Sequence, residues 1–184
     1  QRQEGRLSGV TVCIDAGHQE NGRFVNEPIG PGLSGSTSGK GGMAQGTKTN
    51  RRESIVCLEI GMLLRDELLR QGANVVMTRE DQTTFHTNIE RCEIAEAGGA
   101  QIMLRLHCNN SSNRSKRGIQ VYGPLNSDYA KAVADADTYR EMGQKLLDAM
   151  KTRVGMTLAN STGMVRLNDN YVGNNWAKMM CFLV

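Results

Sequence analysis

The chain has 184 residues, 22% of them charged and 39% hydrophobic, with a formal net charge of +3. That length fits one domain able to bury a real core, and no apolar run approaches the roughly 20 residues that span a bilayer, which excludes a membrane helix. The slight basic excess, with aromatics at only 4% and no dense basic run, leaves no electrostatic or stacking footprint for nucleic acid.

Gln1 to Gly9 are polar and include neither an initiator Met nor the apolar core of a signal peptide, the pattern of a processed or excised chain. Val10 to Ile14 is then an apolar, β-branched run that ends abruptly in Asp15-Ala16-Gly17-His18. It predicts a buried parallel strand that delivers His18 to its carboxyl end, where open α/β sheets bind ligands. One histidine after a strand is more often a turn or packing residue, so the assignment needs company further along.

Gln19 to Asn50 is rich in Gly, Ser, Thr and Asn, with turn signals at Pro28 to Gly32 and Gly39 to Gly42. A loop longer than about 12 to 15 residues is usually functional or disordered, and both a wall of the active site and a surface excursion fit it. An amphipathic helix follows, with Val56, Ile60, Leu63, Leu64 and Leu68 on one face and Gly72 at its end. Asn50 and Glu53 have capping-box spacing. Glu53 therefore has a structural explanation, and its place at the loop exit also permits a ligand role.

Ala73 to Thr78 predicts a second strand, Thr87 to Glu90 the capped start of a helix running toward Gly98 and Gly99, and Gln101 to Leu106 a third strand ending in His107-Cys108-Asn109. His86 falls in a connector and reads as a turn residue. Two strands thus end in His, and in a parallel sheet both ends share one edge. Ser111 to Arg117 reads as a polar, basic loop, Gly118 to Tyr122 as a strand, Ser127 to Thr152 as one long helix, Met164 to Leu167 as a short strand, Asn168 to Asn175 as a polar turn and Met179 to Val184 as a final strand. This alternation predicts an α/β fold: one twisted, mostly parallel sheet with helices on both faces. The five cysteines are odd in number and lie on apolar faces, so they read as small buried hydrophobes rather than a disulfide framework.

His18, Glu53 and His107 are two imidazoles and a carboxylate, a ligand set that suits catalytic zinc with a fourth position open. Separations this long are unspecific and carry the reading only as far as a metal hydrolase.

The residues do, however, resemble a known family over nearly the whole chain: the zinc-dependent N-acetylmuramoyl-L-alanine amidases, the type-3 amidase group of bacterial cell-wall metabolism. The resemblance rests on Ile14 to His18, on Glu53 opening the first helix and on Leu106 to Asn109. Supporting matches are Val75 to Asp81, the Glu90-Arg91 pair followed by Ala95, and Gly118. Gln19, the Glu27 to Gly32 segment and Arg105 look like a clostridial branch.

The resemblance implies a phosphorylase/hydrolase-like fold with Zn2+ held by His18, Glu53 and His107. It further implies substrate contacts from Asn109 and Arg105, peptidoglycan as substrate and an extracellular or cell-wall autolysin. The reaction is hydrolysis of the amide between N-acetylmuramic acid and L-alanine of the stem peptide. In the family a second glutamate acts as general base and lies after the last core strand, in a pattern like Leu-Val-Glu-Met-Gly; here the sequence reads Phe182-Leu183-Val184. The expectation is a single amidase catalytic domain over 1–184, incomplete at its C-terminus, with the base past Val184 and no such role for Glu59, Glu93 or Glu96. Two alternatives share the triad: an inactive relative that binds wall peptide or regulates an amidase, and a zinc amidase acting on another peptide or acylated sugar.

Overall fold

The computed structural model describes residues 5–20, 25–37, 43–113, 118–154 and 165–184. Gly39 to Gly42, the Arg114 to Arg117 part of the basic loop and the Met164 start of the predicted strand lie outside these residues.

Thr11, Val12 and Ile14 stiffen the first segment at χ1 and favour extended backbone. It forms β1 (Thr11–Ala16), whose side chains are buried on both faces. The chain then folds in order into α1 (Glu53–Arg70), β2 (Asn74–Met77), α2 (Asn88–Ala97), β3 (Ile102–Leu106), β4 (Tyr122–Gly123), α3 (Asp128–Val133), α4 (Ala136–Val154), β5 (Arg166–Leu167), α5 (Val172–Trp176) and β6 (Met180–Leu183). The strands make one six-stranded sheet in the order β2-β1-β3-β6-β4-β5. β1, β2, β3 and β6 run parallel, while β4 meets β6 antiparallel and pairs in parallel with β5. The predicted α/β sheet is therefore what forms.

Alternation along the strands sends successive side chains to opposite faces. On one face Cys13, Met103 and Cys181 form a core with Cys92 and Ala95 of α2 and with Ala177 and Met179. On the other, Phe182 packs with Val121, Tyr139, Leu147 and Val165, joined by Leu104. α1 lies beside Ile14 on this second face, where Gly61 comes up against Ile14, Ala16 and Met77.

Several local expectations are corrected. The buried face of α1 is Glu53, Ser54, Cys57 and Gly61, while Ile60 and Leu63 are 49% and 72% exposed. Small residues let the helix sit close on the sheet, and this leaves the bulky leucines partly outside. The Asn50/Glu53 capping box is absent: Asn50 is left-handed with φ 56 and accepts from Gln45 Nε2 at 2.7 Å, and Arg52 is the N-cap residue, with no capping bond from its side chain.

The strand predicted at Gly118 to Tyr122 shortens to Tyr122–Gly123. The single helix from Ser127 to Thr152 is two, because Ala134 is fully extended and the Asp135 carboxylate accepts from the Thr138 amide at 2.7 Å, starting α4 anew. The second half of the polar turn predicted at Asn168 to Asn175 is helical, as the start of α5. Its asparagines are buried because Asn174 donates to the Tyr122 carbonyl and Asn175 to those of Ile29 and Asp169. β6 lies inside the sheet, flanked by β3 and β4.

Chain order places the site. β1 leads out to β2, and the chain then returns across β1 to β3. The strand order reverses between β1 and β3, and in such sheets the crevice outside their carboxyl ends is where ligands bind.

Candidate metal centre

His18 leaves the end of β1 and His107 directly follows β3, so the parallel pairing of Ala16 with Leu106 puts the two histidines side by side. Their rings meet edge to face with centroids 4.8 Å apart. Gly17 permits this approach. A Cβ there would stand 2.5 Å from the Leu106 carbonyl oxygen and 2.6 Å from His107 Cε1, closer than any side chain tolerates. His18 itself is left-handed, with φ 59, a conformation that costs an L-residue about 1–2 kcal/mol and needs surroundings that enforce it.

Glu53, the first residue of α1, points its carboxylate into this corner. Its Oε1 lies 3.1 Å from His18 Nε2 and 3.1 Å from His107 Nδ1 and accepts from the Cys108 amide at 2.8 Å. Its Oε2 accepts from the Ala44 amide at 2.9 Å. The far end of the long loop thus reaches the site through Ala44. The middle of the loop is tethered elsewhere: Glu27 accepts from Asn88 Nδ2 and the Ile89 amide at the start of α2, and Trp176 Nε1 donates to the Pro28 carbonyl.

One carboxylate oxygen has two lone pairs, yet Glu53 Oε1 faces an amide and two imidazole nitrogens. A cation between the three side chains fits this crowding better than three hydrogen bonds do. Ligands bound at 2.0–2.2 Å around a tetrahedral ion lie about 3.4 Å from one another. The nearest ligand atoms of His18, Glu53 and His107 are all within 4.8 Å, and among the described residues no other Cys, His, Asp or Glu joins the group.

The electrostatics favour the deprotonated ligands a metal requires. Burial opposes the charge on Glu53, but hydrogen bonds from His107, His18 and Ala44 outweigh it and hold the carboxyl below its ordinary range. For His107, burial lowers the pKa and the Arg105 charge adds to this, against the hydrogen bond to Glu53. Cys108 is half-exposed and free, its thiol in contact with that of Cys57, and it is not in the ligand group. His86 is not in it either.

Beneath the triad lies a buried charge network whose roles sequence reasoning missed. Asp15, three residues before His18, is fully buried and accepts from Thr78 Oγ1 at 2.7 Å, Arg91 Nη1 at 2.5 Å and Arg105 Nε at 2.8 Å. Burial alone would neutralise it, yet the two guanidinium charges keep it ionised well below the usual carboxylate range. A charged residue in the middle of an otherwise apolar strand was the available signal, since a buried carboxylate needs a buried cation.

Arg105 is accordingly corrected as a substrate contact. Its guanidinium is buried and committed to Asp15 and to Asn88 Oδ1, and it lies against Gly173, where a Cβ would strike it. Asn109 sits exposed two residues past His107, with its amide donating to Gln120.

The family profile described as N-acetylmuramoyl-L-alanine amidase matches residues 12–184. The chain belongs to this family. It is accordingly an N-acetylmuramoyl-L-alanine amidase, a hydrolase whose substrate is peptidoglycan.

Solved structures of such amidases share its fold. The Mycobacterium smegmatis N-acetylmuramyl-L-alanine amidase Ami1 superposes with a TM-score of 0.78 at 18% identity, over 96% of this chain and 81% of that one. An amidase from Clostridium difficile 630 gives 0.69 at 20%, over 95% and 77%. AmiC2 of Nostoc punctiforme gives 0.64 at 24%, over 96% and 78%. No curated protein sequence matches the chain. Among the described residues no helix is long and apolar enough to cross a membrane.

Proposed function

We propose that residues 1–184 form one amidase catalytic domain in which His18, Glu53 and His107 hold Zn2+, and that the enzyme works outside the cell, at the wall, as an autolysin. The observation that carries the metal assignment is the convergence of these three side chains, from three separate elements, on one corner of the sheet edge. Two imidazoles and a carboxylate with a fourth position left for water or substrate are a common catalytic zinc set. Bound there, the metal supplies Lewis acidity for the scissile carbonyl and makes water acidic enough to attack it near neutral pH.

The chain's own residues do the rest. Amides of Ala44 and Cys108 fix both oxygens of Glu53, so the carboxylate cannot swing away when substrate enters. Burial keeps His107 unprotonated and available as a ligand. Asn109, at the rim, presents a carboxamide that can both donate to and accept from the backbone of a stem peptide.

The acid/base group belongs, on this reading, to a glutamate that follows β6. The Val184 carbonyl accepts from the His107 amide at 2.9 Å, so a residue carried on from Val184 would emerge beside the third ligand. A carboxylate there can take a proton from the attacking water and return it to the leaving amine, which requires hydrogen-bond reach to both.

Digestion of purified peptidoglycan with the full-length enzyme, followed by mapping of the newly freed termini, tests the assignment. The expected product is the free amino group of L-alanine. Release of any other terminus would overturn it.

A further inference from the structure

We propose that Arg79 is a positioning residue: its single guanidinium holds the His18-bearing end of β1 and the Glu53-bearing start of α1 at the separation the metal requires. The inference rests on the assignment of His18, Glu53 and His107 as ligands.

Arg79 follows β2 and is 3% exposed. Its Nε donates to the Ala16 carbonyl at 2.7 Å. Its Nη2 donates to the carbonyls of Gly17 at 2.9 Å and Ser54 at 2.7 Å, and its Nη1 to that of Asp81 at 2.9 Å. Ala16 and Gly17 directly precede His18, and Ser54 directly follows Glu53. One planar fork therefore joins the backbones of two ligands that lie far apart in sequence. Lysine could not replace it, because an ammonium is a point donor without the spread of a guanidinium.

Arg91 completes the arrangement from α2, with Nη1 on the Ala16 carbonyl at 3.0 Å and Nη2 on the His18 carbonyl at 3.2 Å. Together the two arginines take the carbonyls of residues 16, 17 and 18 in succession, which is what keeps His18 left-handed. Among the described residues, all four hydrogen bonds of Arg79 go to backbone oxygens and none to a carboxylate. Burial pulls its pKa down to about 10, and it remains charged at neutral pH. Its charge is instead matched by the carbonyl dipoles of Ala16, Gly17, Ser54 and Asp81.

Groups outside the ligand sphere that orient ligands typically alter metal affinity by roughly 10- to 100-fold. The test uses Co2+ as probe. Affinity is measured by competition with a chromophoric chelator and geometry by the visible absorption of the bound ion, on wild type, Arg79→Lys, Arg91→Lys and His18→Ala. Arg79→Lys is expected to bind Co2+ about 10- to 100-fold more weakly than wild type, with a changed visible spectrum. Its far-UV circular dichroism should stay at the wild-type level. Arg91→Lys should move both readouts in the same direction, and Arg79→Gln, measured in the same way, decides the matter if Arg79→Lys does not fold.

Affinity within twofold of wild type together with an unchanged spectrum overturns the positioning role. If His18→Ala binds Co2+ as tightly as wild type, the ligand assignment itself fails and this inference with it. If only His18→Ala loses the ion, the ligand assignment stands and the inference alone fails.

Discussion

Glu53 meets both imidazoles and accepts from two amides, and its charge is what the two histidines and a cation would share. Glu53→Gln keeps the shape and loses the charge. We expect metal content to fall at least about tenfold, and likewise in His18→Ala and His107→Ala, as measured by elemental analysis at matched protein concentration. Full occupancy in all three would falsify the triad. Asp15 is the second such residue. Asp15→Asn leaves Arg91 and Arg105 buried without their anion, and breaking a buried pair from one side costs about 3–5 kcal/mol, readable as a lower urea midpoint. The pH dependence follows with a definite sign. Asp15 and Glu53 are held below the usual carboxylate range and His107 below the usual histidine range, so the unfolded chain binds more protons than the folded one as pH falls. Stability of the metal-free protein is therefore present above about pH 6.5 and declines below it, first through His107 and then, below about pH 4, through the carboxylates. Urea midpoints between pH 4 and 8 that stay flat would contradict this. The convergence of His18, Glu53 and His107 was legible, because each histidine terminates an apolar strand and Glu53 opens a helix. The partners of Asp15 were not, since Thr78, Arg91 and Arg105 become neighbours only through the order and facing of strands that no local pattern encodes.

α1 shows where periodicity misleads. Its leucines mark an apolar stripe, but the helix is set against the sheet by Ser54, Cys57 and Gly61, so steric closeness rather than hydrophobic bulk chose the buried face. Two substitutions separate these accounts. Leu63→Ala, at a position 72% exposed, should change stability by no more than about 0.5 kcal/mol. Gly61→Leu should cost about 1–3 kcal/mol, because even a Cβ at Gly61 would lie 3.3 Å from Ile14 Cγ2. Thermal unfolding with the opposite ranking would show the leucine face to be the packed one. The α3–α4 break was invisible for a different reason. Ala134, Asp135 and Ala136 are all compatible with a continuous helix, and the choice of Asp135 as a new cap is made by the packing of α4 on β4 and β5. α2 was read correctly because its Thr87/Glu90 capping box is self-contained in four residues.

The sheet has a core on each face and the triad at its edge, outside both. Chelation should accordingly leave the far-UV circular dichroism unchanged while lowering the melting temperature of the metal-loaded protein, and adding metal back should raise it again with the logarithm of the metal concentration. Collapse of the secondary structure on chelation would mean that the metal, and not the two cores, sustains the fold. The pairing of β1 with β3 across the whole of α1, β2 and α2 has one more consequence, and it concerns time. No stretch of the unfolded chain carries two of the three ligands close together, so there is no local site on which an ion could nucleate structure. Residues 16 and 106 meet only when a long loop has closed, a slow class of folding event. Uptake of an ion by the proposed site would therefore come last, after the sheet is built.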